Sequence, residues 1–177
     1  MRNKPRVSIT LHPRGKNSLG ENRQRLGFSA FHWGILVSPK NPISGIHTHF
    51  DVTDSLNFDH ETEEAKEDWR FRERTDAEPD LAFQILGKVI VGKVTPAVLQ
   101  ELRGRLRELP LPENGVKRGG CVSWTRSGIE VLKEMRVLEA SFNVDVFMEA
   151  ALAFADDSLR GGTGLGCVLD YTSDKRV

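Results

Sequence analysis

Residues 30–38 read AFHWGILVS, and residues 45–55 read GIHTHFDVTDS. The first stretch is aromatic and aliphatic and ends at Pro39, which is typical of a buried strand. The second stretch alternates with a period of two, and the turn-forming run PKNPISG leads into it. Together they predict a β-hairpin over residues 31–54, with successive side chains on opposite faces of the sheet.

The rest of the chain supplies further strands on both sides of this hairpin and helices after it. Thr95 and Pro96 match a helix N-cap followed by the first helical position. The patterns predict strands at 7–12, 68–74 and 85–94, loops at 13–27 and 110–120, a mobile acidic stretch at 57–66, and helices at about 96–109, 121–135 and 144–159. The run GGTGLG follows a helix instead of a strand, so it predicts a flexible tail over 161–177 and not a dinucleotide site. We therefore expect an α+β fold, with an antiparallel sheet of about five strands packed against about three helices.

Composition sets limits on the class of protein. The chain has 177 residues, 38% hydrophobic and 28% charged, which suits one globular domain over 1–177. It has no apolar run near the roughly 20 residues that a membrane helix needs, and its first residues lack a signal-peptide core. Two cysteines, Cys121 and Cys167, make no disulfide framework, and no paired Cys or His spacing indicates zinc. We expect a cytoplasmic protein with no cofactor, no metal and no membrane partner.

Charge is unevenly distributed although the net charge is zero. Residues 1–40 carry many Arg and Lys and one acid, Glu21, with the basic segment at 1–27. An acidic stretch follows, made of Asp51, Asp54, Asp59, Glu61, Glu63, Glu64, Glu67 and Asp68. Such segregation can mark a polyanion-binding face and a cation-binding face, but two solvated surfaces are the commoner reason.

Cys121 follows two glycines at the expected start of a helix. The free N–H groups and the positive dipole end there stabilise a thiolate and could form an oxyanion hole. Gly120 would let a substrate approach the backbone closely. Packing explains many lone cysteines equally well.

A thiolate nucleophile needs a base, and the base needs a third group to orient it. His32 is the best candidate base, although a histidine at a sheet edge is also common. The next strand offers His49, which we favour as the orienting residue, and then Asp51, both on one face. The His-x-His-x-Asp run also permits a metal reading, but three such positions span about 13 Å, so one ion cannot join them all.

The pair FHWGILVSPK and GCVSWTRSGIEVL resembles the permuted papain-like proteins, such as the lecithin retinol acyltransferase group and the NlpC/P60 peptidases. In those proteins the histidine strand precedes a nucleophilic cysteine that opens a helix. The chain is more similar still to small fungal proteins with a YHWALIVGPK-like strand and an NCxxWV-like helix start, near which the arginine-containing cyclodipeptide synthases are placed. Gly120 stands where the acyltransferase relatives have Asn.

The resemblance implies thiol-dependent acyl transfer with Cys121 as nucleophile and His32 as base, then acid. An amine acceptor would give a new amide, and water would make the protein an amidase or peptidase. A non-catalytic interaction module on the same scaffold is the rival from another class.

Binding residues follow from the same reading. Trp33 and Trp124 could wall an apolar substrate pocket, although core packing is their ordinary role. Asp54 and the acidic stretch could hold the arginine side chain of an aminoacyl substrate. The basic segment with Arg103, Arg107, Lys117 and Arg118 could hold the phosphates of an aminoacyl-tRNA donor.

Overall fold

A single six-stranded sheet carries the helices, as seen in a computed structural model that describes residues 4–41, 45–59, 64–113 and 120–172. The strands are β1 (Arg6–Pro13), β2 (Phe31–Ser38), β3 (His47–Asp59), β4 (Glu64–Asp76), β5 (Gly87–Lys93) and β6 (Cys167–Asp170). The helices are α1 (Gly20–Leu26), α2 (Pro79–Ala82), α3 (Pro96–Glu108), α4 (Cys121–Glu134) and α5 (Val144–Arg160), with 3₁₀ turns at Gly15–Ser18 and Gly27–Ala30. The strand order is β4-β3-β2-β1-β5-β6, and each neighbouring pair is antiparallel except β5 and β6.

The predicted α+β class is confirmed. The hairpin is present, with β2 and β3 paired from Ile35↔Phe50 to Val37↔Thr48. The three long helices lie where the periodicity placed them. Thr95 caps α3 by accepting a hydrogen bond from the Val98 N–H, as its position before Pro96 predicts.

Three predictions were wrong in detail. The loop over 13–27 contains α1, which Arg23 fixes to α5 through two hydrogen bonds to Asp156, at 2.8 and 2.7 Å. The tail is not wholly flexible, because β6 pairs in parallel with β5 from Gly87↔Cys167 to Ile90↔Asp170. The acidic stretch over 57–66 is strand at both described ends, since the β3–β4 ladder runs on to Asp59↔Glu64. Each of these contacts joins segments distant along the chain or extends a hairpin, which local composition does not reveal.

The two faces of the sheet differ in character. One face of β1 and β2 presents Val7, Ile9, Leu11, Phe31, Trp33, Ile35 and Val37 to the main core, with α4 and α5 packed on it. Helix α4 approaches closely because residue 128 is glycine: a Cβ there would lie 2.6 Å from Ile35 Cδ1. The other face presents a polar row, in which His12 of β1 stands directly across from His32 of β2.

Strands β2 and β3 separate near the start of β2. Their pairing begins at Ile35, so Phe31 to Gly34 have no β3 partner in the ladder. The first turn of α4 lies at this opening, where the Trp33 backbone makes a hydrogen bond with the Cys121 sulfur. A helix packed on the apolar face thereby brings its first residue to a histidine of the polar face.

Candidate active site

Cys121 is the first residue of α4 and is only 2% exposed. Gly120 caps the helix with φ +96°, a backbone conformation that residues other than glycine rarely adopt. A Cβ at Gly120 would also lie 3.1 Å from the Trp69 ring. The glycine therefore serves the backbone geometry that starts the helix, and the thiol sits among first-turn amides that have no intrahelical partner.

His32 connects the thiol to a buried carboxylate. Its Nε2 lies 2.8 Å from Asp51 Oδ2, and its ring lies close enough to the Cys121 sulfur for each of the two groups to shift the pKa of the other. The structure thus brings Cys121, His32 and Asp51 together, with His32 interacting with both of the others.

The environment favours a thiolate at Cys121. Burial alone raises the pKa of the thiol, but three nearby groups outweigh the effect of burial, and the pKa falls below its ordinary value. These groups are the hydrogen bond and charge of His32, the guanidinium of Arg14, and the Trp33 backbone N–H. Arg14 Nη2 lies 4.0 Å from the sulfur.

The pKa of His32 shifts in the opposite direction to that of Cys121. Burial lowers its pKa, yet the hydrogen bonds to Asp51 and Cys121 raise the pKa to about 9. The lowered thiol pKa and the raised imidazole pKa both favour the thiolate–imidazolium form of the pair.

Three donors, His32, Arg72 and Arg74, keep Asp51 ionised although burial acts against its charge. Burial raises its pKa, but His32 and Arg72 lower it to well below the usual range. Arg72 binds both carboxylate oxygens, through Nε at 2.8 Å and Nη2 at 2.6 Å, and Arg74 adds a bond at 3.0 Å. Charge-assisted bonds of this bidentate kind fix the carboxylate's orientation as well as its charge.

His49, the favoured orienting residue, does not contact His32. Its ring lies over Gly34, where a Cβ would come within 2.7 Å of two ring atoms, and its Nε2 lies 3.2 Å from His12 Nε2 and 3.0 Å from Thr10 Oγ1. Asp51, the second candidate from the sequence, is the residue that hydrogen-bonds the His32 ring. The register explains this, because His49 stands across from Leu36 and so reaches toward β1.

The other predicted binding residues lie elsewhere. Trp33 and Trp124 are buried in the main core, and the Trp33 indole donates to the Phe28 carbonyl at 2.8 Å, so neither walls a pocket. Asp54 is exposed on β3, while Asp51 already binds the chain's own arginines. Arg103 and Arg107 both pair with Glu73, at 2.6 and 3.0 Å. Lys117 and Arg118 lie outside the described residues.

Four residues of the site were missed from the sequence: Arg14, His12, Arg72 and Arg74. The alternation in 68–74 puts Arg70, Arg72 and Arg74 on one face, and a hairpin register would have set Arg72 across from Asp51. Arg14 carried no such signal, because it reaches Cys121 from 107 positions away in sequence.

No metal or membrane arrangement is seen in the part of the chain that the structure describes. No group of three or more His, Cys, Asp or Glu side chains there could hold a metal ion. Likewise, none of the described helices combines the length and the apolar character needed to cross a membrane.

Fold and site define an α+β protein with a buried cysteine–histidine–aspartate cluster at a helix N-terminus. A family model matches residues 4–159, and the chain therefore belongs to this family, described as a family of unknown function (DUF6914). No curated protein and no solved structure matches the chain significantly.

Proposed function

We propose that this protein catalyses thiol-dependent acyl transfer through a thioester on Cys121. The observation that carries the proposal is the contiguous Cys121–His32–Asp51 cluster, in which hydrogen bonding lowers the thiol pKa and raises that of the imidazole. Perturbed pairs of this kind are characteristic of nucleophilic sites.

The chemistry follows from the resting ion pair. The Cys121 thiolate attacks the acyl carbonyl, a C–S bond forms, the bond to the leaving group breaks, and the His32 imidazolium gives its proton to that leaving group. The acceptor then attacks the thioester while His32 takes its proton, and the thiolate leaves again. We expect the first-turn amides of α4, which have no intrahelical partner, to bind the developing oxyanion.

An amine acceptor, and so formation of an amide from an activated aminoacyl donor, is the version we favour. Its support is the 2% exposure of Cys121, since a nucleophile shielded from water favours transfer over hydrolysis, together with the resemblance to cyclodipeptide-forming proteins. Aminoacyl-tRNA remains one candidate donor. Arg103 and Arg107 give it little support, because both are paired with Glu73.

The first experiment measures iodoacetamide alkylation of both cysteines in the native protein at pH 6–8, by peptide mass spectrometry. Cys121 should react much faster than Cys167 despite its burial, because His32 and Arg14 are its cationic partners, whereas Cys167 contacts Thr163 and the Gly164 carbonyl in the described chain. Equal or slower reaction would favour a non-catalytic module.

The second experiment incubates the protein with a cell extract and searches Cys121 for an acyl adduct, with Cys121→Ala as the control. The product then separates the two acceptors: an amide indicates transfer, and a free acid indicates an amidase or peptidase. If neither adduct nor product depends on Cys121, the proposal is wrong.

A further inference from the structure

A groove opens beside the candidate nucleophile. It has a volume of about 580 Å³ and lies between residues 24–29 and the first turn of α4, where Val122 and Ser123 line it. Small-molecule sites commonly fall in this size range. The groove thus adjoins the residue that follows Cys121 in the chain.

Arg14 connects the groove to the sulfur. Its Nη1 donates to the Ser29 carbonyl at 3.3 Å, and its Nη2 lies 4.0 Å from Cys121 Sγ. Ser29 is itself part of the groove wall. One guanidinium therefore contacts both the wall of the groove and the thiol.

The lining combines apolar and cationic groups. Leu26, Phe28 and Val122 are half-buried apolar side chains, and Arg25 and Arg126 are cations of the lining. Arg126 lies over the Phe28 ring at 5.3 Å and its charge is already balanced by Asp145, whereas the hydrogen-bond partner of Arg25 is the neutral Asn22, at 3.1 Å. Such a surface complements a ligand with an apolar stem and a negative charge.

We propose that this groove is the acyl-donor site and that it takes a donor with an apolar stem and an anionic group, held by Arg25. This inference rests on the proposed function, because it assumes that the acyl carbonyl is delivered to Cys121. Phosphate and carboxylate share the required chemistry, and the probes below distinguish them.

The test measures binding of hexyl phosphate, hexanoate and hexanol to the full chain by isothermal titration calorimetry, which needs no reactive thiol. Hexyl phosphate should bind and hexanol should not. Arg25→Gln should weaken binding about tenfold, the usual worth of a charge-assisted hydrogen bond, and Arg126→Gln should weaken it less because Asp145 already balances the charge of Arg126. Arg105→Gln, which loses only a surface pair with Glu134 on another part of α4, is the matched control and should bind as the wild type does. Tighter binding of hexanoate than of hexyl phosphate would identify a carboxylate donor.

A second arm places the ligand next to the thiol. Bound hexyl phosphate should slow the alkylation of Cys121 by iodoacetamide and leave Cys167 unaffected, and this protection should be lost in Arg25→Gln. Equal binding of hexanol, or binding without protection of Cys121, would overturn the donor-site assignment. Slow alkylation of Cys121 in the absence of ligand would instead contradict the proposed function, so the two failures are distinguishable.

Discussion

Histidines of one sheet face have opposite properties in this protein. His32 has a carboxylate partner at 2.8 Å, remains 17% exposed, and has its pKa raised to about 9. His12, directly across the β1–β2 ladder, is buried without such a partner, and its pKa is lowered to about 3 by burial and by the charge of His32. Sheet position alone does not set the role of a histidine; the group that its nitrogens meet does.

The hydrogen bonds also fix which nitrogens of the buried pair carry protons. His12 Nδ1 lies 2.7 Å from the Phe83 carbonyl, which can only accept, so this nitrogen is protonated. His49 Nδ1 lies 3.3 Å from Arg74 Nη2, which can only donate, so the His49 proton is on Nε2. Burial lowers the pKa of His49 well below its ordinary value. His12 and His49 thus form a neutral pair next to His32, whose raised pKa favours its charged form.

The largest effect on activity should come from removing the Asp51 carboxylate, which is the group that makes the environment of His32 differ from that of His12. Asp51→Asn leaves His32 without an anionic partner and leaves Arg72 and Arg74 without their shared counter-charge. Activity should fall by a factor on the order of 10²–10⁴, as for orienting aspartates in other triads. The pH profile of Cys121 alkylation should move toward alkaline pH, because His32 would no longer hold the proton that stabilises the thiolate.

Asp54→Asn is the matched control for that change, since Asp54 is exposed on the same strand. Its alkylation profile should equal that of the wild type. An unchanged profile in folded Asp51→Asn would show that the carboxylate does not act through His32.

The stability of the fold in acid should depend on His12, the second histidine of the comparison. In the unfolded chain His12 takes up a proton near pH 6.5, but in the folded chain its pKa is about 3. The unfolded state therefore binds more protons between these values, and stability is lost as pH falls from 6.5 toward 3. In His12→Gln the free energy of unfolding should depend less steeply on pH there, by up to about 1.4 kcal/mol per pH unit.

Urea unfolding at several pH values measures this slope. His32, Asp51 and Arg74 also face His12 electrostatically, so the slope must be taken as a difference from the wild type. Equal slopes in the two proteins would mean that His12 is already protonated in the folded state.

A smaller loss of stability is expected where the His49 ring packs against Gly34. A Cβ at residue 34 would lie 2.7 Å from the His49 ring and 2.9 Å from the Phe50 carbonyl oxygen. Gly34→Ala should therefore destabilise the fold by about 1–3 kcal/mol, and Gly34→Ala with His49→Ala should recover part of that loss. The melting temperatures of the single and double variants check this.

Gly104→Ala provides the contrast, because nothing lies within 4 Å of a Cβ there and the residue is in the middle of α3. It should stabilise the protein by about 0.5–1 kcal/mol. If Gly34→Ala behaves as Gly104→Ala does, the close approach of the His49 ring is wrong.

These particular residues show how far sequence reasoning reached. Cys121 and His32 could be predicted to lie together in one site because each carries a local signal: Cys121 starts a helix after glycines, and His32 lies in a strand that ends at a turn. The period of two predicts that Asp51 and His49 lie on the same face of the sheet. It does not predict which of them contacts His32, because that depends on the strand register and on the separation of β2 from β3 before Ile35. Arg14 and the pairing of β6 depend on contacts across the whole fold, which no local pattern encodes.

The smallest expected effect concerns Thr10, which lies entirely within the neutral pair. Its Oγ1 lies 3.0 Å from both His12 Nε2 and His49 Nε2. Because His49 Nε2 carries a proton, it can still donate to His12 Nε2 when the hydroxyl is removed. Thr10→Val should therefore cost about 0.5–1.5 kcal/mol, the net worth of one hydrogen bond, and keep the side chain's shape. The acid slope and the alkylation rate of Cys121 should both stay unchanged, since no titrating group and no partner of His32 is lost. A change in the alkylation rate as large as that in Asp51→Asn would mean that the neutral pair is part of the reactive site, and the contrast between the two histidine environments would fail.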